Sequence, residues 1–270
     1  MTDPTGGYAQ DYKFTRCYEF EMQGKGGCCL SLFVLSDTHL SFSLNKPMDV
    51  FGRRWDHYTE KLAVAWTACV GTEDTVVIPG DISWAMTLYE AEQDLRYLDA
   101  LPGRKLIGRG NHDYWWTTVR KMKTFLEQKG MQTIDFLYNN AFRIGDITVC
   151  GSRGWWNDPK TSPAGTDYEK IINRETLRLG LSLDAAAALG GTPVVFLHFP
   201  PVFREIVCRE IVDMLHRYGV TLCYYGHLHM TYDMPPSFEF EGIRFVITSS
   251  DYLNFTPLAV ENPEKIRELC

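Results

Sequence analysis

From Cys28 onward the chain settles into short apolar runs, each stopping at a polar or glycine signal, separated by stretches in which apolar residues recur three and four positions apart. The runs at 30–35, 75–78, 105–107, 194–197 and 222–225 read as strands. The stretches at 51–70, 89–101, 117–129, 166–189 and 204–218 read as helices, with Pro102-Gly103 and Gly190-Gly191 stopping the second and fourth. Strand-like pieces at 142–144 and 147–149 flank Gly145-Asp146, and pieces at 238–240 and 243–248 flank Gly242, so two hairpins are predicted. The alternation predicts an α/β fold, with helices where crossover connections are needed.

Residues 1–27 are Gly-rich and lack clear periodicity, and they are expected to form an extension to a single domain spanning 28–270. A chain of 270 residues with 45% hydrophobic and 23% charged residues buries a sizeable core without disulfide staples. The eight cysteines are scattered, with no CxxC pair, and read as reduced thiols of a cytoplasmic protein. The longest apolar run, from Cys28 to Leu35, is too short to cross a bilayer and makes a poor signal-peptide core, so no membrane association is expected. A formal net charge of −7 argues against a broad grip on long nucleic acid, although a local cationic site or bound metal could still handle an anionic substrate.

The candidate chemistry lies at the ends of the apolar runs. The first breaks at Asp37-Thr38-His39, the second at Gly80-Asp81, the third at Gly110-Asn111-His112-Asp113, the fourth at His198 and the fifth at Gly226-His227-Leu228-His229. Five of the seven histidines thus fall directly after a strand, while His57 and His216 read as helix-surface residues. Ligands of open α/β sheets gather beyond the carboxyl ends of the strands, so these side chains are expected at one edge. Imidazole, carboxylate and amide oxygen make a mixed N/O donor set suited to Mn, Fe, Zn or Ni. In Asp37-Thr38-His39 and His227-Leu228-His229 the paired residues are two apart, which an extended backbone would point to one side.

The ordered series D-x-H, G-D, G-N-H-D, H, G-H-x-H resembles the signature of the calcineurin-like metallophosphoesterase superfamily, over roughly residues 29 to 250. The resemblance implies a two-sheet β-sandwich flanked by helices and a centre of two divalent metals, Mn²⁺ first among them. It would place Asp37, His39 and His229 on the first metal and Asn111, His198 and His227 on the second, with Asp81 bridging. His112 would be the catalytic histidine. Two cations about 3.5–4 Å apart activate a bridging hydroxide as nucleophile and neutralise phosphate oxygens, and His112 would protonate the leaving group. The chain departs from the Ser/Thr protein phosphatase branch, because Gly80-Asp81-Ile82-Ser83-Trp84-Ala85-Met86 lacks the second acid and the arginine of G-D-x-V-D-R-G. The expected activity is therefore hydrolysis of a small phosphomonoester or phosphodiester, as in the bacterial-type small phosphohydrolases. A nuclease or cyclic-nucleotide phosphodiesterase is the alternative enzyme, and an inactive binding module the alternative of another class. The expected partner is a small phosphorylated substrate, a nucleotide among the candidates.

Three further features admit two readings each. Arg109 could contact phosphate or form a salt bridge, and Asp113 could orient an imidazole or cap the helix that follows it, with capping the expected role. Trp84, Tyr114-Trp115-Trp116 and Trp155-Trp156-Asn157 are expected to pack in the core and loops; an aromatic rim that stacks a flat leaving group is the second reading.

Overall fold

The computed structural model describes residues 31–44, 46–155 and 167–263. In chain order the elements begin with β1 (Leu32–Val34), α1 (Tyr58–Cys69), β2 (Thr75–Ile78), α2 (Glu92–Ala100), β3 (Arg104–Ile107), α3 (Val119–Lys129) and β4 (Ile134–Phe136). They continue with β5 (Ala141–Ile144), β6 (Ile147–Ser152), α4 (Tyr168–Leu189), β7 (Thr192–Leu197), β8 (Val202–Phe203) and β9 (Ile206–Val207). The last are α5 (Arg209–Arg217), β10 (Leu222–Tyr225), β11 (Ser237–Phe240), β12 (Ile243–Ile247) and β13 (Leu258–Ala259).

One sheet runs β13-β1-β2-β3-β4 and a second runs β11-β12-β10-β7-β6-β5. Pairings among β1 to β4 are all parallel, as are those of β6, β7, β10 and β12, while β13, β5 and β11 add antiparallel edges. The strand period of two sorts side chains between three packed layers. Leu32, Val34, Val77 and Leu106 of the first sheet meet Val149, Val194, Phe196, Leu222 and Tyr224 of the second in a core between the sheets. The alternate residues Phe33, Val76, Ile78 and Ile107 pack on Leu62, Trp66, Leu95, Leu98 and Phe125 of the helices. Cys150, Val195, Leu197, Cys223 and Phe245 do the same on the opposite face against Leu179, Leu183, Ile211 and Leu215. The fold is the helix–sheet–sheet–helix sandwich expected from the sequence, and its central strands are buried on both faces, which is why they read as continuous apolar runs.

Several boundaries differ from the expectation. The helix expected at 51–70 starts at Tyr58, because Asp49–Phe51 and Arg53–Trp55 form separate 3₁₀ turns around Gly52. The helix expected at 204–218 begins only at Arg209: Arg204 lies at φ 54° and turns the chain between β8 and β9, a local hairpin that helical periodicity concealed. Strands β4 and β13 are additional to the expected strands, the one with its middle residue Asp135 half-buried and the other only two residues long, so neither leaves a clear apolar run. Asp113 does not cap α3, whose N-cap is Thr118, accepting from Lys121 N at 3.3 Å. The extension expected at 1–27, together with Trp156 and Asn157, lies outside the described residues. No helix among the described residues is long and apolar enough to cross a membrane.

Candidate metal centre

The two sheets meet where their parallel strands end. Past β1, Leu35 N still donates to Val77 O at 3.1 Å. Ser36 then bridges to Ser249 of the other sheet, donating to Thr248 O and accepting from Ser250 N, both at 2.9 Å. Immediately beyond this stitch the backbone leaves the extended region: Asp37, His39, Asp81 and His227 have φ of 58°, 45°, 51° and 68°. The extended geometry expected for the two pairs of residues two apart is therefore not found; tight left-handed turns deliver them instead. Such a residue costs about 1–2 kcal/mol without glycine, so the surroundings must hold it in place. They do so with backbone bonds from Asp37 N to Gly80 O and His39 N to Asp81 O, both 3.0 Å, and from Leu228 N to Gly226 O, 2.8 Å.

All seven residues named as candidate ligands come together. Ligand atoms of Asp37, His39 and His229 lie within 4.8 Å of one another, and so do those of Asp81, His198 and His227. Asp81 Oδ2 stands between the groups, 3.7 Å from His39 Nε2 and 3.6 Å from His198 Nε2. Asp37 Oδ1 also reaches both, at 3.8 Å from His229 Nε2 and 3.7 Å from His198 Nδ1. The Asn111 amide oxygen joins the second group, 2.6 Å from His198 Nε2.

A surrounding set of contacts fixes these side chains. The buried Asp113 carboxylate accepts backbone N–H bonds from Gly110 (2.7 Å), Asp81 (2.9 Å), Ile82 (2.8 Å) and Ser83 (3.3 Å), and from the Trp115 indole (3.0 Å), tying the β2 and β3 loops into one unit. Asp251, in the loop after β12, accepts from His229 Nδ1 at 2.8 Å and from Met230 N and Tyr232 Oη at 3.0 and 2.9 Å. Such a carboxylate fixes the tautomer and aims Nε2 at the centre. Asp37 accepts from Ser36 Oγ and from His227 N, the latter at 2.9 Å. Two motif glycines follow from close approach: a Cβ at Gly110 would overlap the Asp81 carboxylate and backbone, and one at Gly226 would overlap Asp37 and Ser36. Asp113 thus gathers amides where the sequence suggests a helix cap, and Asp251, one more acid past the carboxyl end of a strand, joins the site without belonging to any of the motifs.

The donor set fits cations. Burial, and then the neighbouring imidazoles, push His39 and His198 well below their usual range, and burial takes His227 down to about 3, so these rings are neutral. At His229 burial acts in the same direction, but the Asp251 hydrogen bond and the charge of Asp37 outweigh it and raise the pKa. Burial raises Asp37 to about 6 and, with Asp37 and Asp113 adding to it, raises Asp81 well above the carboxylate range. His39 Nδ1 and His198 Nδ1 are buried with no hydrogen-bond partner. Lone pairs outnumber protons in this cluster, and buried carboxylates without counter-charge are costly; two divalent ions would relieve both conditions.

His112 sits beside the groups, its backbone N–H donating to Asp81 Oδ1 at 2.8 Å. Burial first, then the Lys46 ammonium, lowers its pKa to about 4. Trp84 lies between imidazoles, stacked 4.8 Å from His39 at 24° and 4.3 Å from His112, with Lys46 Nζ 3.1 Å above its ring. It packs on protein rings. Trp115 and Trp116 are buried, Trp155 packs 5.2 Å from Phe199, and Tyr114 alone of its tripeptide is exposed. His57 and His216 lie away from the centre, at the N-cap of α1 and in the last turn of α5. Arg109 lines a small cleft next to the centre.

Comparison with known proteins bears on the whole. The sequence model described as calcineurin-like phosphoesterase matches residues 30–231. No curated protein matches the sequence. Among solved structures, phosphopantetheinyl hydrolase of Mycobacterium tuberculosis is 15% identical with a TM-score of 0.50, covering 90% of this chain and 93% of its own. TT1561 of Thermus thermophilus is 11% identical with a TM-score of 0.52, covering 86% and 99%. At such identities the likeness is one of fold.

Proposed function

The chain belongs to the calcineurin-like phosphoesterase family, and from that premise we propose that it hydrolyses phosphomonoester or phosphodiester bonds of a small substrate at a dinuclear metal centre, Mn²⁺ being the first ion to try. The observation that carries the reading is the pair of ligand groups with Asp81 Oδ2 between them, 3.7 Å from a histidine of one and 3.6 Å from a histidine of the other. Asp37, His39 and His229 would hold one ion and Asn111, His198 and His227 the second, with Asp81 shared. Two such ions supply an acidified water as nucleophile and charge to neutralise phosphate oxygens.

The rest of the work falls to side chains. Asp251 keeps His229 in one tautomer, and Asp113 holds the loops of Asp81 and Asn111 in fixed relation. His112 would give the leaving oxygen its proton. In the free protein burial and Lys46 keep its ring neutral; a bound phosphate dianion acts in the opposite direction and favours the imidazolium from which that proton would come. Substrate size follows from charge: a chain at −7 suits a small phosphorylated molecule better than a long polynucleotide. Among the described residues, free thiols at Cys150, Cys208 and Cys223 support a reducing, cytoplasmic setting.

The test is hydrolysis of p-nitrophenyl phosphate and bis-p-nitrophenyl phosphate by metal-stripped protein reloaded with Mn²⁺. Activity is expected to return with metal and to fall at least about 100-fold in Asp81→Asn and His112→Ala, the ester ratio giving the substrate class. Wild-type turnover equal to that of both variants on both esters would overturn the reading.

A further inference from the structure

One cation beside the ligand cluster has no counter-charge. Lys46, in the loop between β1 and α1, lays its ammonium over the Trp84 indole, with Nζ 3.1 Å from the ring centre. Trp84 in turn lies 4.3 Å from the His112 ring and 4.8 Å from that of His39. Nζ is therefore no farther from the His112 ring centre than the Lys46–Trp84 and Trp84–His112 contacts laid end to end. Among the described residues Lys46 makes no ion pair, and its ammonium donates to no protein acceptor. Arg54, further along the same segment, is by contrast engaged: Nη1 donates to Asp251 O at 2.9 Å, and the guanidinium lies 3.7 Å over Tyr232.

The ammonium is held in place. The Lys46 backbone N–H donates to Leu44 O at 3.0 Å, and the Lys46 carbonyl accepts from Ser41 Oγ at 2.9 Å. Pro47 restricts the next φ, and the buried Met48 accepts the Trp84 indole N–H on its sulfur at 3.1 Å. Lys46 and Met48 thus grip one indole, whose backbone N–H is fixed on Leu40 O at 3.0 Å. A cation ordered in this way has given up part of its freedom before any ligand arrives.

Charge says what that ligand would be. Two divalent ions at the ligand groups and an imidazolium at His112 would repel a neighbouring ammonium, and an anion touching all of them removes the repulsion. The gap between Lys46 and His112 suits one phosphate, since two hydrogen bonds of about 3 Å, one at each end, together with the width of the group itself span it. With His112 at the leaving oxygen, Lys46 falls to an adjacent outer oxygen. In a phosphomonoester every outer oxygen shares the negative charge, whereas in a diester one of them is esterified and the group keeps a single charge.

We propose that Lys46 is a substrate-binding residue that takes an outer oxygen of a terminal phosphate beside His112, so that the centre favours phosphomonoesters over diesters; this rests on the phosphoesterase reading above. The alternative role, packing on Trp84 alone, uses the aliphatic stem and leaves all three ammonium donors to water.

The test pairs calorimetric titration of the Mn²⁺-loaded full chain with inorganic phosphate, at about pH 8, with kcat/KM on p-nitrophenyl phosphate and bis-p-nitrophenyl phosphate. Lys46→Met keeps a stem on Trp84 and removes the charge. It should weaken phosphate binding and lower monoester kcat/KM at least about tenfold, the loss of one charge-assisted contact, and change diester kcat/KM by no more than about threefold. Lys46→Arg, which keeps the charge, should restore most of both losses, and Lys121→Met, an exposed charge on α3, should change neither by more than about twofold. No phosphate binding in wild type, unchanged phosphate affinity in Lys46→Met, or equal losses on the two esters would overturn the proposal. The two readings fail separately: Lys46-dependent phosphate binding without metal-dependent ester hydrolysis would sink the phosphoesterase, and hydrolysis with an ester ratio unchanged in Lys46→Met would sink the role of Lys46.

Discussion

The two loops after β2 and β3 of the first sheet hold Asp81 and Asn111 through backbone amides gathered on a buried carboxylate, whereas the loop after β10 of the second sheet positions His227 and His229 with a side-chain partner and a close glycine. On the first side, Asp113 collects the N–H groups of Gly110, Asp81, Ile82 and Ser83, so the positions of Asp81 and Asn111 are part of the fold itself. On the second, His229 is aimed by Asp251, and Gly226 lets the His227 loop press against Asp37. Damage to the first arrangement should therefore be read in folding and damage to the second in metal affinity.

The sharpest way to break this contrast is Asp113→Ala. It leaves four buried backbone donors without an acceptor, and at about 1–3 kcal/mol each, even after relaxation, the expected loss of unfolding free energy is at least about 3 kcal/mol. Urea unfolding measures it; a loss under about 1 kcal/mol would show that the loops do not rely on this carboxylate. Next comes Gly226→Ala, where the new methyl group overlaps Asp37 and Ser36. The chain should fold but retain less than about half of the wild-type bound metal, and full metal content by elemental analysis would contradict the packing argument. The mildest change is Asp251→Asn, which keeps shape and removes the charge facing His229 Nδ1. Affinity for the ion nearest His229 should fall about 10–100-fold with little change in stability. A stability loss without an affinity loss would move Asp251 to the first kind of support.

The two sides were also legible to different degrees. Strands covered on both faces leave continuous apolar runs, so the strands themselves and the polar residues at their ends could be expected from the sequence alone. What the local sequence lacks is the identity of distant partners. Asp113 sits where helix caps often sit, and only the approach of the β2 loop, with Asp81 32 residues away along the chain, makes it a collector of amides. The two pairs of residues two apart suggested an extended backbone, because nothing local announces a left-handed φ at Asp37 or His227; tertiary hydrogen bonds impose it. Trp84 is similar, its ring taken up by His39 and His112. Arg204 marks the opposite failure, a strong helical period interrupted by a short hairpin.

The claim on which the account rests is that Asp81 is shared by two cations. Elemental analysis of the Mn²⁺-loaded protein after gel filtration tests it directly. The account predicts about two manganese ions per wild-type chain and, in Asp81→Asn, loss of at least one of them while the fold is retained. One ion or none in wild type, or two in the folded variant, would contradict it.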